Sequence, residues 1–186
     1  MDNIVSLYTS TQGRISRKSW WLGIVGIIVI NLIISFLIFP FVGLGGPSAQ
    51  AIMDASGDPA ALGAVINGSM QAAGWGSLIL FIIFAFPMYA LHIKRRHDKD
   101  NNGLDVIVYL AIIALTFLMQ ALGFAYAVTD MGGIPVPAPT MVFSILGVVM
   151  LIYSIYMLVV LGFLRGTVGP NQYGPDPLGG AAPATA

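Results

Sequence analysis

Residues 141–164 read MVFSILGVVMLIYSIYMLVVLGFL, an unbroken apolar stretch without one charged side chain. A helix needs about 20 apolar residues to cross the hydrocarbon core of a bilayer, and this stretch supplies them. Three more runs of the same kind lie upstream, at 21–42, 75–93 and 104–128, and no Lys or Arg interrupts any of them. Pro40 sits near the end of the first run and Pro87 inside the second. Proline is tolerated at such places in bilayer helices, where neighbours re-satisfy the freed carbonyl, and a kink is expected near Pro87. The predicted fold class is an all-α integral membrane protein with four transmembrane helices.

Composition points the same way. Of 186 residues, 57% are hydrophobic and 9% charged, against roughly a quarter charged in a water-soluble domain. That is too little polar surface to cover a globule in water. Eight Lys/Arg balance eight Asp, and Glu is absent, so there is no electrostatic footprint for nucleic acid. Cysteine is absent, which excludes disulfides, thiolate zinc sites and iron–sulfur clusters. No cofactor is expected.

The basic residues set the orientation. Arg14, Arg17 and Lys18 precede the first run; Lys94, Arg95, Arg96 and Lys99 lie between the second and third; Arg165 follows the fourth. The other two connections hold no cation and carry Asp54, Asp58 and Asp130. Basic residues in short loops stay cytoplasmic, which puts both termini inside. The expected organisation is a cytoplasmic segment over 1–20, a four-helix transmembrane domain over 21–164, and a cytoplasmic tail over 165–186 that is flexible after about residue 178. Ala49-Gln50-Ala51 resembles a signal-peptidase site, but a secretory apolar region is about 7–15 residues and this one is a full span, so the first helix is expected to be retained. Trp20, Trp21, Trp75, Tyr89 and Tyr126 fall near the predicted interfaces, where amphipathic rings settle. In the first outside loop, 60–66 is read as either a short surface helix or a mobile loop; the second, with Pro135, Pro137 and Pro139, as extended and tight.

No ionisable side chain stands at mid-depth, where a proton relay or ion route would need one. Asn31/Ser35 and Thr116/Gln120 are spaced i, i+4 and share helix faces; interhelical hydrogen bonding is the preferred reading over a polar groove. Gly23 and Gly26 read as a close-packing patch. Asp98, Asp100, Asn102 and Gly103 match the opening of a calcium-binding loop, but position twelve is Tyr109 instead of a bidentate Glu, and the neighbouring cations oppose a divalent ion. No metal site is expected, and no Ser/His/Asp constellation or phosphate-cradling glycine loop appears.

Three segments together are recognisable. They are Gly13-Arg14-Ile15-Ser16-Arg17 leading into Trp20-Trp21; Lys94-Arg95-Arg96-His97-Asp98-Lys99-Asp100 followed by Gly103; and Gly169-Pro170-Asn171-Gln172-Tyr173-Gly174-Pro175-Asp176-Pro177. In this order, around four spans, they resemble the bacterial inner-membrane family called domain of unknown function 805, from about Ser6 to Leu178. Asn102 and Leu104 depart from the Ser and Trp usual there, and the loop over 43–74 looks long. The resemblance implies a four-helix, multi-pass protein of the bacterial inner membrane and brings no established activity.

Sidedness puts all three segments at one membrane surface, and they are expected to form a single polar cap or headgroup-contact site of Arg14, Arg17, Arg95, Arg96, His97, Asp98, Asn171, Tyr173 and Asp176. Asp98 should accept charge-assisted hydrogen bonds from Arg14, Arg17 or Arg96, with the turn at 171–176 folded back on the loop, since planar guanidinium suits a carboxylate better than Lys does. The functional expectation is a non-enzymatic structural, scaffolding or regulatory module. Its partners are anionic headgroups of the bilayer and a second copy or another membrane protein. A small oligomeric transporter or lipid-handling protein is the alternative, and a membrane enzyme using Asp98 or His97 comes third.

Overall fold

A computed structural model describes residues 4–44, 46–132 and 135–179. The expectation of a disordered end from Gly179 onward concerns, over 180–186, positions outside the described residues. The chain is mostly helical: α1 (Ile4–Thr9), α2 (Arg17–Leu37), α3 (Ala49–Ala55), α4 (Pro59–His97), α5 (Leu104–Ala121) and α6 (Met141–Met157), the last continued by a π-helical turn over Leu158–Phe163. Among the described residues, four helices are long and apolar enough to cross a membrane: Arg17–Leu37, Pro59–His97, Leu104–Ala121 and Met141–Phe163. Their outward faces carry Leu22, Val25, Ile28, Leu32, Ile145 and Leu151. In water such stripes would aggregate; against lipid they cost nothing.

The helices begin and end where local chemistry dictates, which is not always where hydropathy changes. Helix α4 starts well before Trp75, because Asp58 accepts the Ala60 N–H at 2.9 Å as a cap and Pro59 fills the first helical position, where its missing N–H costs nothing. Residues 60–66 are thus the opening turns of one 39-residue helix that passes through Pro87 without interruption. The apolar run to residue 128 does not stay helical. Helix α5 ends at Ala121 because Gly123 takes φ +79°, and the N–H groups of Gly123 and Phe124 return to the carbonyls of Gln120 and Met119 at 3.1 and 2.8 Å. This is a Schellman stop.

The same run then continues as a strand. β1 (Tyr126–Asp130) pairs antiparallel with β2 (Pro135–Pro139), with Val128 opposite Pro137. Hydropathy alone does not separate a short apolar strand from a helix end. The prolines of β2 fall two apart, so all three take positions whose missing N–H the ladder does not need.

The chain divides into two compact units. One is drawn from 30–82 and 112–150. In it the Gly74 Cα lies hard against the Ala121 backbone, the Phe39 ring covers Gly76, and Phe81 meets Phe117 edge-on at 6.2 Å. Small residues where helix backbones approach are the usual packing device in a bilayer. Gln120 donates to the Met70 carbonyl at 3.3 Å, whereas Thr116 returns its hydroxyl to Ile112 of its own helix.

The other unit comprises 1–29, 83–111 and 151–186. Leu7, Ile15, Trp20, Ile27, Leu91, Val106, Met157, Val160 and Leu161 form its core. Gly23 lets Leu91 and Leu7 pack directly on α2, and Gly26 makes room for the Tyr8 hydroxyl, which donates to the Gly23 carbonyl at 3.0 Å. Trp20 is buried in this core, its ring edge-on to Trp21 and His92. Among the described residues its Nε1 is the buried side-chain polar atom without a hydrogen-bond partner.

Candidate functional site around Asp98

All the candidate cap residues belong to the second of these units. Its organisation begins with a backbone problem. A helix leaves its last carbonyls without internal partners, and the π-helical turn over 158–163 leaves a run of them at the end of α6. Each finds a donor from elsewhere in the unit. Arg95 Nε donates to Leu161 at 2.8 Å and Arg95 Nη2 to Leu164; Trp21 Nε1 donates to Gly162 at 3.2 Å, and Arg17 Nη1 to Phe163 at 3.0 Å. Two of these three side chains are cations, the sign a helix C-terminus favours. Lys94 serves α1 in the same way, donating from Nζ to the carbonyls of Ser6 and Leu7 at 2.6 and 2.8 Å.

Asp98, only 4% exposed, stands at the centre. Its Oδ1 accepts from Arg14 Nε at 3.1 Å and Nη2 at 3.0 Å, and its Oδ2 accepts from Arg95 Nη1. Arg95 is fully buried and lies three positions before Asp98, at the close of α4. Arg14 enters from the N-terminal arm, where Gly13 at φ +83° makes the turn that aims it inward. Its other N–H groups donate to the carbonyls of Thr167, Gly169 and Gly174, at 2.7, 2.7 and 3.3 Å. All five donors of the guanidinium are therefore used within the cap.

The tail is tied to the same point. The Thr167 N–H and hydroxyl donate to the Asp98 carbonyl at 2.8 and 3.2 Å. Asn171 Nδ2 donates to the His97 carbonyl at 2.9 Å, and Tyr173 stacks on the His97 ring at 3.9 Å and 5°. His97 Nδ1 donates to the Gly13 carbonyl at 3.2 Å, closing arm, loop and tail into one ring of contacts. Asp176 fastens the turn. It accepts the N–H groups of Gly169 and Leu178 at 3.1 and 2.9 Å, and those two bonds hold its carboxyl below the usual carboxylate range. Lys99 donates to the Arg165 carbonyl at 3.1 Å; burial, then the field of Arg95 and Arg96, pushes its ammonium below the usual lysine range.

The expected partners of Asp98 divide. Arg14 is there, Arg17 goes to Phe163, and Arg96 goes to Asp105. The last pair is a two-pronged fork, Nε–Oδ1 at 3.1 Å and Nη2–Oδ2 at 2.9 Å, which joins the end of α4 to the first turn of α5. Tyr156 donates to Asp105 Oδ2 at 2.9 Å. Sequence reading missed Asp105, Thr167 and the Arg95–Asp98 pairing. The signal for Arg95 was its i, i+3 spacing from Asp98 where α4 ends; for Asp105 it was a carboxylate in a helical first turn facing a basic helix end.

The calcium-loop oxygens are turned to protein donors. Asp100 Oδ1 accepts from Gln172 Nε2, Asn102 Oδ1 from the Leu104 N–H, and Asp98 from the arginines. Asp100 sits at φ +55°, a left-handed position that Asp tolerates in turns.

No curated relative and no solved structure matches the chain. Residues 8–175 match the family described as "Protein of unknown function (DUF805)", a stretch that begins ahead of the arm carrying Arg14 and ends inside the turn that closes on His97. With most of its length matched, the chain belongs to the DUF805 family.

Proposed function

We propose that the protein is a non-enzymatic multi-pass module of the bacterial inner membrane, with both termini cytoplasmic, and that its cap is a structural clamp. The clamp holds the ends of the spans in register and presents a fixed cationic face for scaffolding or regulation. One observation carries this reading: Arg14 spends every donor on Asp98 and on tail carbonyls. A catalytic or ligand-gripping arginine directs donors at the space its ligand occupies; here they close a ring of protein atoms.

The orientation rests on charge. The unit with the cap holds all eight Lys and Arg residues, and the other holds Asp54, Asp58 and Asp130 with no cation. Basic loops resist translocation, which favours the cytoplasm for the cap. The chain has no cysteine, so single-cysteine variants report cleanly. Ser56→Cys is expected to react with an impermeant thiol reagent in intact cells, and Asn101→Cys only after lysis; labelling of position 101 in intact cells would reverse the orientation.

A further inference from the structure

The hairpin of β1 and β2 lies within the unit drawn from 30–82 and 112–150, and its two edges differ. The Thr140 N–H donates to the Ala125 carbonyl at 2.9 Å, which extends the register that sets Ala127 opposite Ala138 and Thr129 opposite Val136. Hydrogen-bonded and non-hydrogen-bonded pairs alternate along an antiparallel ladder. Ala127 and Thr129 therefore bond inward to β2, and Tyr126 and Val128 turn their N–H and carbonyl groups outward. Pro135, Pro137 and Pro139 take the outward positions of β2, so that edge offers no donor there.

The outward edge of β1 is intact. Among the described residues, no hydrogen-bond partner meets the outward groups of Tyr126 and Val128. The Tyr126 ring rests against Phe143 at 5.3 Å, while residues 127–130 are exposed. Such an edge is a template for another strand, and a two-stranded hairpin gains stability from a third. A strand from an unrelated protein would leave its own far edge open. A second copy of this chain would not. Joining β1 to β1 leaves a proline-blocked β2 at each outer edge, so growth stops at a pair.

We propose that two copies of this chain associate through β1, paired antiparallel about a twofold axis at Ala127 into one four-stranded sheet. In this register Tyr126 of each copy lies opposite Val128 of the other, and every outward N–H of these residues meets an outward carbonyl. Ala127 meets its own counterpart at the closest approach, where Cα atoms stand about 4.5 Å apart and a methyl side chain fits. The two Asp130 carboxylates fall at opposite ends, whereas a register centred on Asp130 would set like charges face to face. The axis runs perpendicular to the sheet. Copies inserted alike are related about the membrane normal, so the joined sheet lies parallel to the membrane surface.

The chain has no cysteine, so a single introduced thiol reports on the axis. Ala127→Cys and Thr129→Cys put thiols on one face of β1, both at exposed positions. Position 127 meets itself, within the Cα separation of about 7 Å that a disulfide tolerates. The two copies of position 129 stand roughly 14 Å apart along the strands. Full-length variants in native membranes are oxidised with copper phenanthroline and separated on a non-reducing gel. Disulfide-linked dimer is expected to form at least about tenfold faster at 127 than at 129, given that geometric limit. Val128→Pro, added to Ala127→Cys, removes an outward donor that the hairpin itself does not use. It should abolish the dimer while keeping the parent's melting temperature; if it fails to fold, the ratio of 127 to 129 decides alone. Absence of dimer at 127, equal rates at 127 and 129, capture of a different protein at 127 in place of a dimer, or undiminished dimer in a folded Val128→Pro variant would each overturn the proposal.

Discussion

A carboxylate as buried as Asp98 is tolerable only with its charge matched and its lone pairs used. Arg14 and Arg95 take one oxygen each, and Gly166 decides whether they have room to do so. A Cβ at position 166 would run into the Asp98 carboxylate and its backbone carbonyl, neither of which can move without breaking the clamp. Gly166→Ala is expected to cost about 1–3 kcal/mol, as overpacking of a filled site does. Gly147, inside α6, has open space where a Cβ would go, so Gly147→Ala should be neutral or stabilising by about 0.5–1 kcal/mol. Thermal denaturation of the two variants in one detergent measures the contrast; equal effects would mean that position 166 is not packed as described. Charge sidedness is what leads sequence reading to expect Arg14 and Asp98 at one membrane surface. Which other arginine completes the pair depends on helix phase at the end of α4, where neighbours Arg95 and Arg96 point about 100° apart and take different carboxylates.

At the scale of elements, the four long apolar segments are the legible part, because hydropathy reports what faces lipid. Their ends are set by other chemistry: the Asp58 cap and Pro59 begin α4, and Gly123 stops α5. Neither changes hydropathy much, so the run-based limits of 75 and 128 depart from the helix limits. The π-helical turn was not legible either. Its widened geometry becomes favourable only once Arg95, Trp21 and Arg17 are present to satisfy the carbonyls of 161–164, and those come from two other helices. Trp21→Phe keeps an aromatic side chain but removes the indole N–H and part of the surface packed on Gly162. It is expected to destabilise by at least about 1 kcal/mol, the net value of an ordinary hydrogen bond, with lost packing added, and to raise amide exchange over the turn and not elsewhere. Unchanged exchange at 158–164 would show that the turn does not depend on this donor.

For the whole molecule, the segregation of charge is the feature sequence reports best, since it survives any choice of helix boundary. Closure of the arm, the loop after α4 and the tail depends on Gly13, Gly169 and Gly174 taking positive φ and on a stack between His97 and Tyr173, details that no linear pattern encodes. These segments, remote in sequence, form one folded object with Asp98 at its centre. Asp98→Asn keeps the shape of the side chain and removes the charge that Arg14 and Arg95 share, which should cost roughly 3–5 kcal/mol, as breaking a buried pair does. The direct measurement compares purified parent and Asp98→Asn for melting temperature and for chymotryptic cleavage after Tyr173. A clearly lower melting temperature and rapid cleavage at Tyr173 are expected in the variant. A variant that melts with the parent and keeps Tyr173 protected would contradict this.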